Sequence, residues 1–565
     1  MRFFGQRLAF SIVIISFAFT VSPAGVGSQK NRPKTPQPLK VTVTPWGPTQ
    51  ADIDAAKLRT ENSETVQSIL KNTNHRLMSL EYIGSQDNKK PPTRFRITYY
   101  DYTNNRTYTV EGDFAGTETI KILPADFQPG VSDEELRDAY KLAAADRDLS
   151  ALAESKKIEF SAAMPPVTVV DGDRYVNVGV RNNVTGEFRV VGVGFKNSTV
   201  LKYEGGAPKA SRSAEDTCGL PNAFQQTTDN GTPGQAMLTI SDANGPLWEM
   251  LVIRPSASSG KSSERSDIEI RDVKYKGKLV MKRGHVPVLN VSYAGDFCGP
   301  FRDWQYQESM FNAPDAGAND VVPGIRVLAD GQVATTALET GSDTGNYRGV
   351  AAYRQTTQFG QEVVLVSEME AGWYRYMMEW RFAADGTIRP RYGFGAVQDS
   401  CVCAVHTHHA YWRFDFDVVN SNNKVFQTER GGKFMLPIRT EAKIARSYQT
   451  NRTIVVQNGS GDEAVSIVPN LTDGIADTFA SGDFWILKYQ GTPDAPGELD
   501  DPGTSEPINI DPWVNGESID NQDVVVWYGA SFIHNDGADR LNPNRSPEVL
   551  TGSHVIGPDI RLIRW

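Results

Sequence analysis

Residues 368–418, from Glu368 to Val418, read EMEAGWYRYMMEWRFAADGTIRPRYGFGAVQDSCVCAVHTHHAYWRFDFDV. The stretch holds a tyrosine-rich strand, a turn at Ala384-Asp385-Gly386, and a second strand carrying His406-Thr407-His408. Successive side chains of a strand project to opposite faces. His406 and His408 therefore share one face, close enough to grip one metal ion, while Thr407 and His409 point the other way. The chain has seven histidines, and three of them fall here. Imidazole is a common ligand for copper, zinc, iron and nickel. The third ligand has to come from elsewhere. His534 is the candidate, because it follows the apolar run of VVVWYGASFIHND and so sits at a strand end or loop start. The competing reading of a His-x-His pair is two surface or hydrogen-bonded histidines.

The same strand continues into Arg413-Phe414-Asp415-Phe416-Asp417. Asp415 and Asp417 share a face, and like charges so close repel unless a cation or an arginine compensates them. Asp523, just before the His534 strand, is placed to join them. Oxygen ligands of this kind suit a hard cation such as calcium. The alternative is a solvated acidic edge.

Outward from this stretch, the 565 residues imply several domains, and a hydrophobic content of 39% supplies ample core material. The net charge of −10 lacks the basic footprint of a nucleic-acid binder. Residues 1–24 read as a secretory signal: Arg2 and Arg7 precede an apolar run from Leu8 to Val21, followed by Ser22-Pro23-Ala24. That run is short for a membrane span, and no other stretch is long and apolar enough to cross a bilayer. The expectation is a secreted, extracellular protein. Asn-x-Ser/Thr sequons at Asn105, Asn183, Asn197, Asn230, Asn290, Asn451, Asn458 and Asn470, with a poorer one at Asn544, fit glycosylation outside the cell. The four cysteines, Cys218, Cys298, Cys401 and Cys403, permit two disulfides there. A zinc site made of Cys401, Cys403 and the histidine pair competes, but free thiolates survive poorly in an oxidising compartment.

Residues 25–47 read as a Pro/Lys/Thr-rich linker. Thr49 then caps a helix running to about Lys71, and four strands follow, making a small α+β domain over 48–126. The order repeats over 127–204. Ser132 caps a helix, with Glu135 three residues on as in a capping box, and strands follow again. Residues 205–235 read as a second linker. From 236 to 565 short strands recur with turn signals between them, which predicts a large antiparallel β-sandwich. The expected class is mainly β, with two small α+β domains in front.

Three separated motifs together resemble the copper amine oxidases, the topaquinone-containing oxidases of primary amines. That family carries Asn-Tyr-Asp/Glu-Tyr before an aromatic strand and a turn like Asn-Gly-Thr-Ile. Here Trp373-Tyr374-Arg375-Tyr376 leads through Met377–Phe382 to Asp385-Gly386-Thr387-Ile388. The family's His-x-His enters an Arg-x-Asp-x-Asp strand, as His406 and His408 do here. Its third copper ligand follows a Val-Val-Trp strand, as His534 follows Val525-Val526-Trp527. The resemblance covers roughly Trp248 to Trp565. This chain departs from the pattern at Trp373, where the family has Asn, and at Arg375, where it has Asp or Glu. The segment between Tyr374 and His406 is also shorter than the family's.

The resemblance implies copper on His406, His408 and His534, and topaquinone formed from Tyr374. It implies a second cation site of Asp415, Asp417 and Asp523 with the main chain at Phe416 and Val524. It also implies cystatin-like folds for the two front domains and a homodimer. The family's catalytic aspartate is the general base that takes a proton from the substrate. Asp315, in Asp315-Ala316-Gly317, is the leading candidate for it here, and Asp303 is the second. Tyr293 is the candidate for the tyrosine that hydrogen-bonds the quinone. The implied reaction takes a small primary amine and dioxygen to an aldehyde, ammonia and hydrogen peroxide. The rival reading is a catalytically inactive secreted copper-binding protein on the same scaffold, which Trp373 and Arg375 favour.

Overall fold

The computed structural model describes residues 38–565, apart from 84–89, 186–187, 204–218, 220–227, 230–233, 259–264, 294–301, 304–306, 310–319, 337–339, 341–344, 372–373, 397–401, 403–404, 475–482, 493–494, 497–509 and 535–554. The expected leader at 1–24 and all four cysteines lie outside the described residues. Pro38–Trp565 forms one compact unit. Among the described residues no helix is long and apolar enough to cross a membrane.

Two large sheets carry the fold. One is ten-stranded. Its main path runs Lys40–Pro45, Gln235–Asp242, Gly245–Ile253, Glu269–Tyr275, Lys278–Tyr293, His406–Phe416, Val524–His534, Asp483–Lys488 and Ala442–Ala445. The other is twelve-stranded and has Gly360–Ala371, Tyr374–Ala383 and Ile388–Ala396 side by side in it. All the pairings but one, Ile325–Val327 with Val350–Thr357, are antiparallel in these two sheets.

The inner faces meet in one core to which both sheets contribute buried side chains. Tryptophans stitch the layers. Trp380, from the twelve-stranded sheet, donates its indole N–H to the Ile268 carbonyl at 3.1 Å, and Trp248, from the ten-stranded sheet, donates to Ala383 at 2.8 Å. A buried indole brings large apolar contact, and its N–H usually finds an acceptor. Both do, across the sandwich.

Two smaller four-stranded sheets stand in front in sequence. His75–Ile83, Arg94–Asp101, Arg106–Asp113 and Lys121–Ala125 form the first, and Ile158–Val170, Asp173–Asn182, Phe188–Gly194 and Thr199–Lys202 the second. Ahead of the first lie two helices, Gln50–Glu61 and Glu64–Leu70, where the sequence reading had one. Ser63 caps the second helix and breaks the run. Thr49 and Asp52 form the reciprocal cap of the first. The second front sheet follows the helix Asp133–Ala145, capped by Ser132 as expected.

The expected return arm of that capping box is absent. The Glu135 carboxylate turns inward instead, accepting from Arg174 Nε and Nη2 at 2.9 and 2.8 Å and from the Tyr102 hydroxyl at 2.8 Å. The buried Arg174 guanidinium takes the carboxylate, and Tyr102, just after the strand Arg94–Asp101, brings the first front sheet to the same point.

One further expectation fails. Within the expected linker at 25–47, Lys40–Pro45 is an edge strand of the ten-stranded sheet, paired with Gln235–Asp242. Its sequence KVTVTP alternates valine with threonine, a half-buried strand pattern that the flanking prolines conceal. Two sequons also prove inaccessible. Asn290 is fully buried on the Lys278–Tyr293 strand, and Asn458 is buried, whereas Asn183, Asn197 and Asn451 are exposed.

Candidate metal centre

Three strands bring the candidate ligands together. His406–Phe416 lies between Lys278–Tyr293 and Val524–His534, and His406 is the register partner of His534. Partners in register on one face come within about 5 Å of each other. His534 Nδ1 lies 3.2 Å from His406 Nε2, and both residues are buried. His408, two residues along the same face, puts its ring centroid 4.7 Å from that of His406.

Tyr374 approaches from the opposite sheet. It begins the Tyr374–Ala383 strand, and its hydroxyl lies 3.2 Å from His406 Nε2. Its ring stands edge-on to His408, with centroids 4.8 Å apart. One residue pair later, the Tyr376 hydroxyl is 2.8 Å from His408 Nδ1. Phe394 lies against His408 at 4.0 Å between centroids and against His534 at 4.7 Å, and Phe532 stacks on His408 at 5.2 Å. The polar cluster is thus set inside an aromatic shell that keeps bulk water off it.

Sequence reading missed the parts played by Tyr376, Phe394 and Phe532. The signal was there for Tyr376 and Phe532. Strand alternation puts Tyr376 on the face of Tyr374, and Phe532 on the face of His534.

Arg375 leaves on the other face, as alternation requires. It is buried, with Nε 3.7 Å from Glu368 Oε1 and Nη1 3.7 Å from Glu370 Oε1. It therefore adds no positive charge on the histidine side of the sheet.

The acidic trio also assembles. Among the described residues, Asp415, Asp417 and Asp523 are the only set of three or more ligating side chains whose donor atoms all lie within 4.8 Å of one another. Burial, reinforced by the Asp415 charge, raises the Asp417 carboxyl to about 6. Burial and the charges of Asp415 and Asp417 raise Asp523 further, to about 8. One buried oxygen on each of Asp417 and Asp523 has no hydrogen-bond partner. Crowded carboxylates with spare oxygens are what a hard cation relieves. Phe416 and Val524 are register partners between these carboxylates, and the Phe416 carbonyl accepts from Asn423 Nδ2 at 3.2 Å.

No protein-family model matches the sequence, and no curated protein matches it either. Solved structures do. The copper-containing benzylamine oxidase of Hansenula polymorpha superposes with a TM-score of 0.57 at 15% identity, over 92% of this chain and 97% of that one. The amine oxidase of Aspergillus nidulans gives 0.53 at 14% identity, over 94% and 90%. The lysyl oxidase of Pichia pastoris gives 0.54 at 12% identity, over 92% and 90%.

The fold is that of the copper amine oxidases.

The donor set in this amine-oxidase fold can be tested against copper on its own geometry. Imidazole–metal bonds of about 2.0–2.1 Å place two ligand nitrogens of one ion about 3 Å apart. His406 Nε2 and His534 Nδ1 stand at 3.2 Å, which fits. Three buried imidazoles are a donor set that Cu(II) accepts, although the three do not bring one nitrogen each within 4.8 Å of one another, so His408 has to turn toward the other two to complete it. Tyr374, with its hydroxyl the same distance from His406 Nε2, fits the place of a side chain modified beside that ion.

Other candidates fall differently. Asp315 and Trp373 lie outside the described residues. Asp303 pairs through its main chain with Leu289 at the edge of the ten-stranded sheet, and Tyr293 is the register partner of His406.

Proposed function

We propose that this protein is a secreted, copper- and quinone-dependent oxidase of primary amines. The observation that carries the reading is the Tyr374 hydroxyl 3.2 Å from a histidine nitrogen that itself lies 3.2 Å from the next histidine. In the reading, His406, His408 and His534 hold copper, and Tyr374 is the precursor of topaquinone. Once formed, such a group would supply a carbonyl and an electron sink for oxidation of the amine. The net reaction consumes the amine, dioxygen and water, and yields the aldehyde, ammonia and hydrogen peroxide.

The chain's own residues have defined tasks in it. Tyr376 fixes the ring of His408 through Nδ1, so that Nε2 is the nitrogen presented to the ion. Phe394 and Phe532 exclude water around the histidines, which strengthens every polar interaction among them. Asp315 is assigned as the general base, with Asp303 as the second choice. Asp415, Asp417 and Asp523 are assigned a calcium ion or a similar hard cation. Secretion, cystatin-like front domains and a homodimer complete the proposal.

A second reading keeps the copper and drops the quinone, and Arg375 favours it, since an arginine replaces the acid that the resembling family has there. One experiment separates the two. Copper-loaded protein is given a panel of primary amines, including benzylamine, and peroxide release is followed before and after chelation. The oxidase reading expects amine-dependent peroxide that chelation abolishes and copper, but not zinc, restores. Firm copper binding with no peroxide from any amine supports the second reading.

A further inference from the structure

Tyr374 is the first residue of its strand. It pairs with Ala371 as the last register pair between Gly360–Ala371 and Tyr374–Ala383. Only residues 372 and 373 separate the two partners along the chain, and Tyr374 pairs with Ala396 on its other side. The ring that approaches the histidines is therefore hung from the first residue of its strand, and its aim follows the main chain there.

Arg375 lies directly behind it. Its Nη1 reaches back toward the Tyr374 carbonyl oxygen at 3.4 Å. The same guanidinium lies 3.7 Å from one carboxylate oxygen of Glu368 and 3.7 Å from one of Glu370. Glu370 is its register partner on the neighbouring strand, and Glu368 lies two residues along the same face. All three side chains are buried. At 3.7 Å these two contacts are charge attractions rather than hydrogen bonds, and they hold the planar guanidinium between the two acids.

We propose that Arg375 is a positioning residue. Held between Glu368 and Glu370, it fixes the main chain at Tyr374, and through it the approach of the Tyr374 ring to the histidines. The position where the resembling family has an acid thus holds a basic residue, and the acids stand on the strand beside it. The consequence for chemistry at Tyr374 rests on the oxidase reading, but the tie to the main chain does not.

The test uses the full chain and three variants: Arg375→Met, which removes the tie, Arg375→Lys, which keeps the charge without the fork, and Glu370→Gln, a milder loosening should the methionine variant fold poorly. The first readout is hydrogen–deuterium exchange of the metal-free protein on the peptide spanning Tyr374. Arg375→Met is expected to raise exchange there by about tenfold or more, as losing a hydrogen bond to a charged group would. Arg375→Lys and Glu370→Gln fall between it and the wild type, and peptides of His406–Phe416 and Val524–His534 do not change. Unchanged exchange at Tyr374, or an equal rise across every peptide, overturns the proposal.

The second readout is copper-dependent modification of Tyr374 by mass. Displacing a reacting group by about 1 Å costs about 100-fold in rate, so Arg375→Met is expected to slow the modification to that degree with Cu(II) affinity unchanged. An equal rate in both proteins overturns the proposal. If wild-type Tyr374 is never modified, the oxidase reading fails, and the exchange result still decides the role of Arg375.

Discussion

His406 and His534 face each other across adjacent strands as register partners, with nitrogens 3.2 Å apart in the buried interior. Two lone-pair-bearing rings held so close share a proton or a metal ion. Replacing His534 by alanine leaves His406 and His408 alone on one strand. Cu(II) affinity is expected to fall by more than the roughly 10–100-fold that losing an outer-shell partner costs. Competition titration with a chelator checks this, and near-equal affinity would remove His534 from the ligand set.

Tyr376→Phe isolates the outer shell. The ring stays in the core, and only the hydroxyl at His408 Nδ1, 2.8 Å away, is lost. Freed of that partner, the ring no longer has a fixed tautomer or orientation. The expected result is a Cu(II) affinity lower by roughly 10–100-fold with the melting temperature little changed, read by the same titration alongside calorimetry.

The acidic trio gives a pH signature. Asp417 is raised to about 6 and Asp523 to about 8 in the folded chain. Between the ordinary carboxyl range and these values the folded state holds protons that the unfolded state has released. Stability in chelator should therefore fall as pH rises from about 4 toward about 8, the reverse of a salt-bridged carboxylate. Calcium binding requires the deprotonated forms, so its stabilising effect should grow over the same window. Asp523→Asn should flatten both trends. Thermal melts with and without calcium test this, and a calcium effect that does not grow with pH would contradict it.

Glu135 and Arg174 form a fully buried pair that also takes the hydroxyl of Tyr102, from the turn after the strand Arg94–Asp101. Arg174→Ala strands a carboxylate in the interior. A loss of about 3–5 kcal/mol is expected in denaturant unfolding. A loss below about 1 kcal/mol would mean that water reaches Glu135.

Much of the site was legible because strand alternation is a strict rule. It set His406 with His408 and Asp415 with Asp417 from spacing alone. Pairing across strands is not local, so the choice of His534 as partner rested on its place after an apolar run and on the resemblance, not on its register. Phe394 was invisible for the same reason: a phenylalanine in a strand looks like any other core residue until its neighbours are known. Lys40–Pro45 was hidden by prolines around a short valine–threonine alternation. Glu135 matched a capping box by spacing, but a buried Arg174 from a strand far along the chain claimed its carboxylate.

The measurement that bears most directly on the central claim is peptide mass spectrometry across Tyr374. Protein purified without metal is given Cu(II) and oxygen, and the peptide is compared before and after. The oxidase reading predicts a copper-dependent gain of two oxygens and loss of two hydrogens on Tyr374. Copper bound by the histidines with Tyr374 unchanged would contradict it, and would leave a copper-binding protein on an amine-oxidase fold.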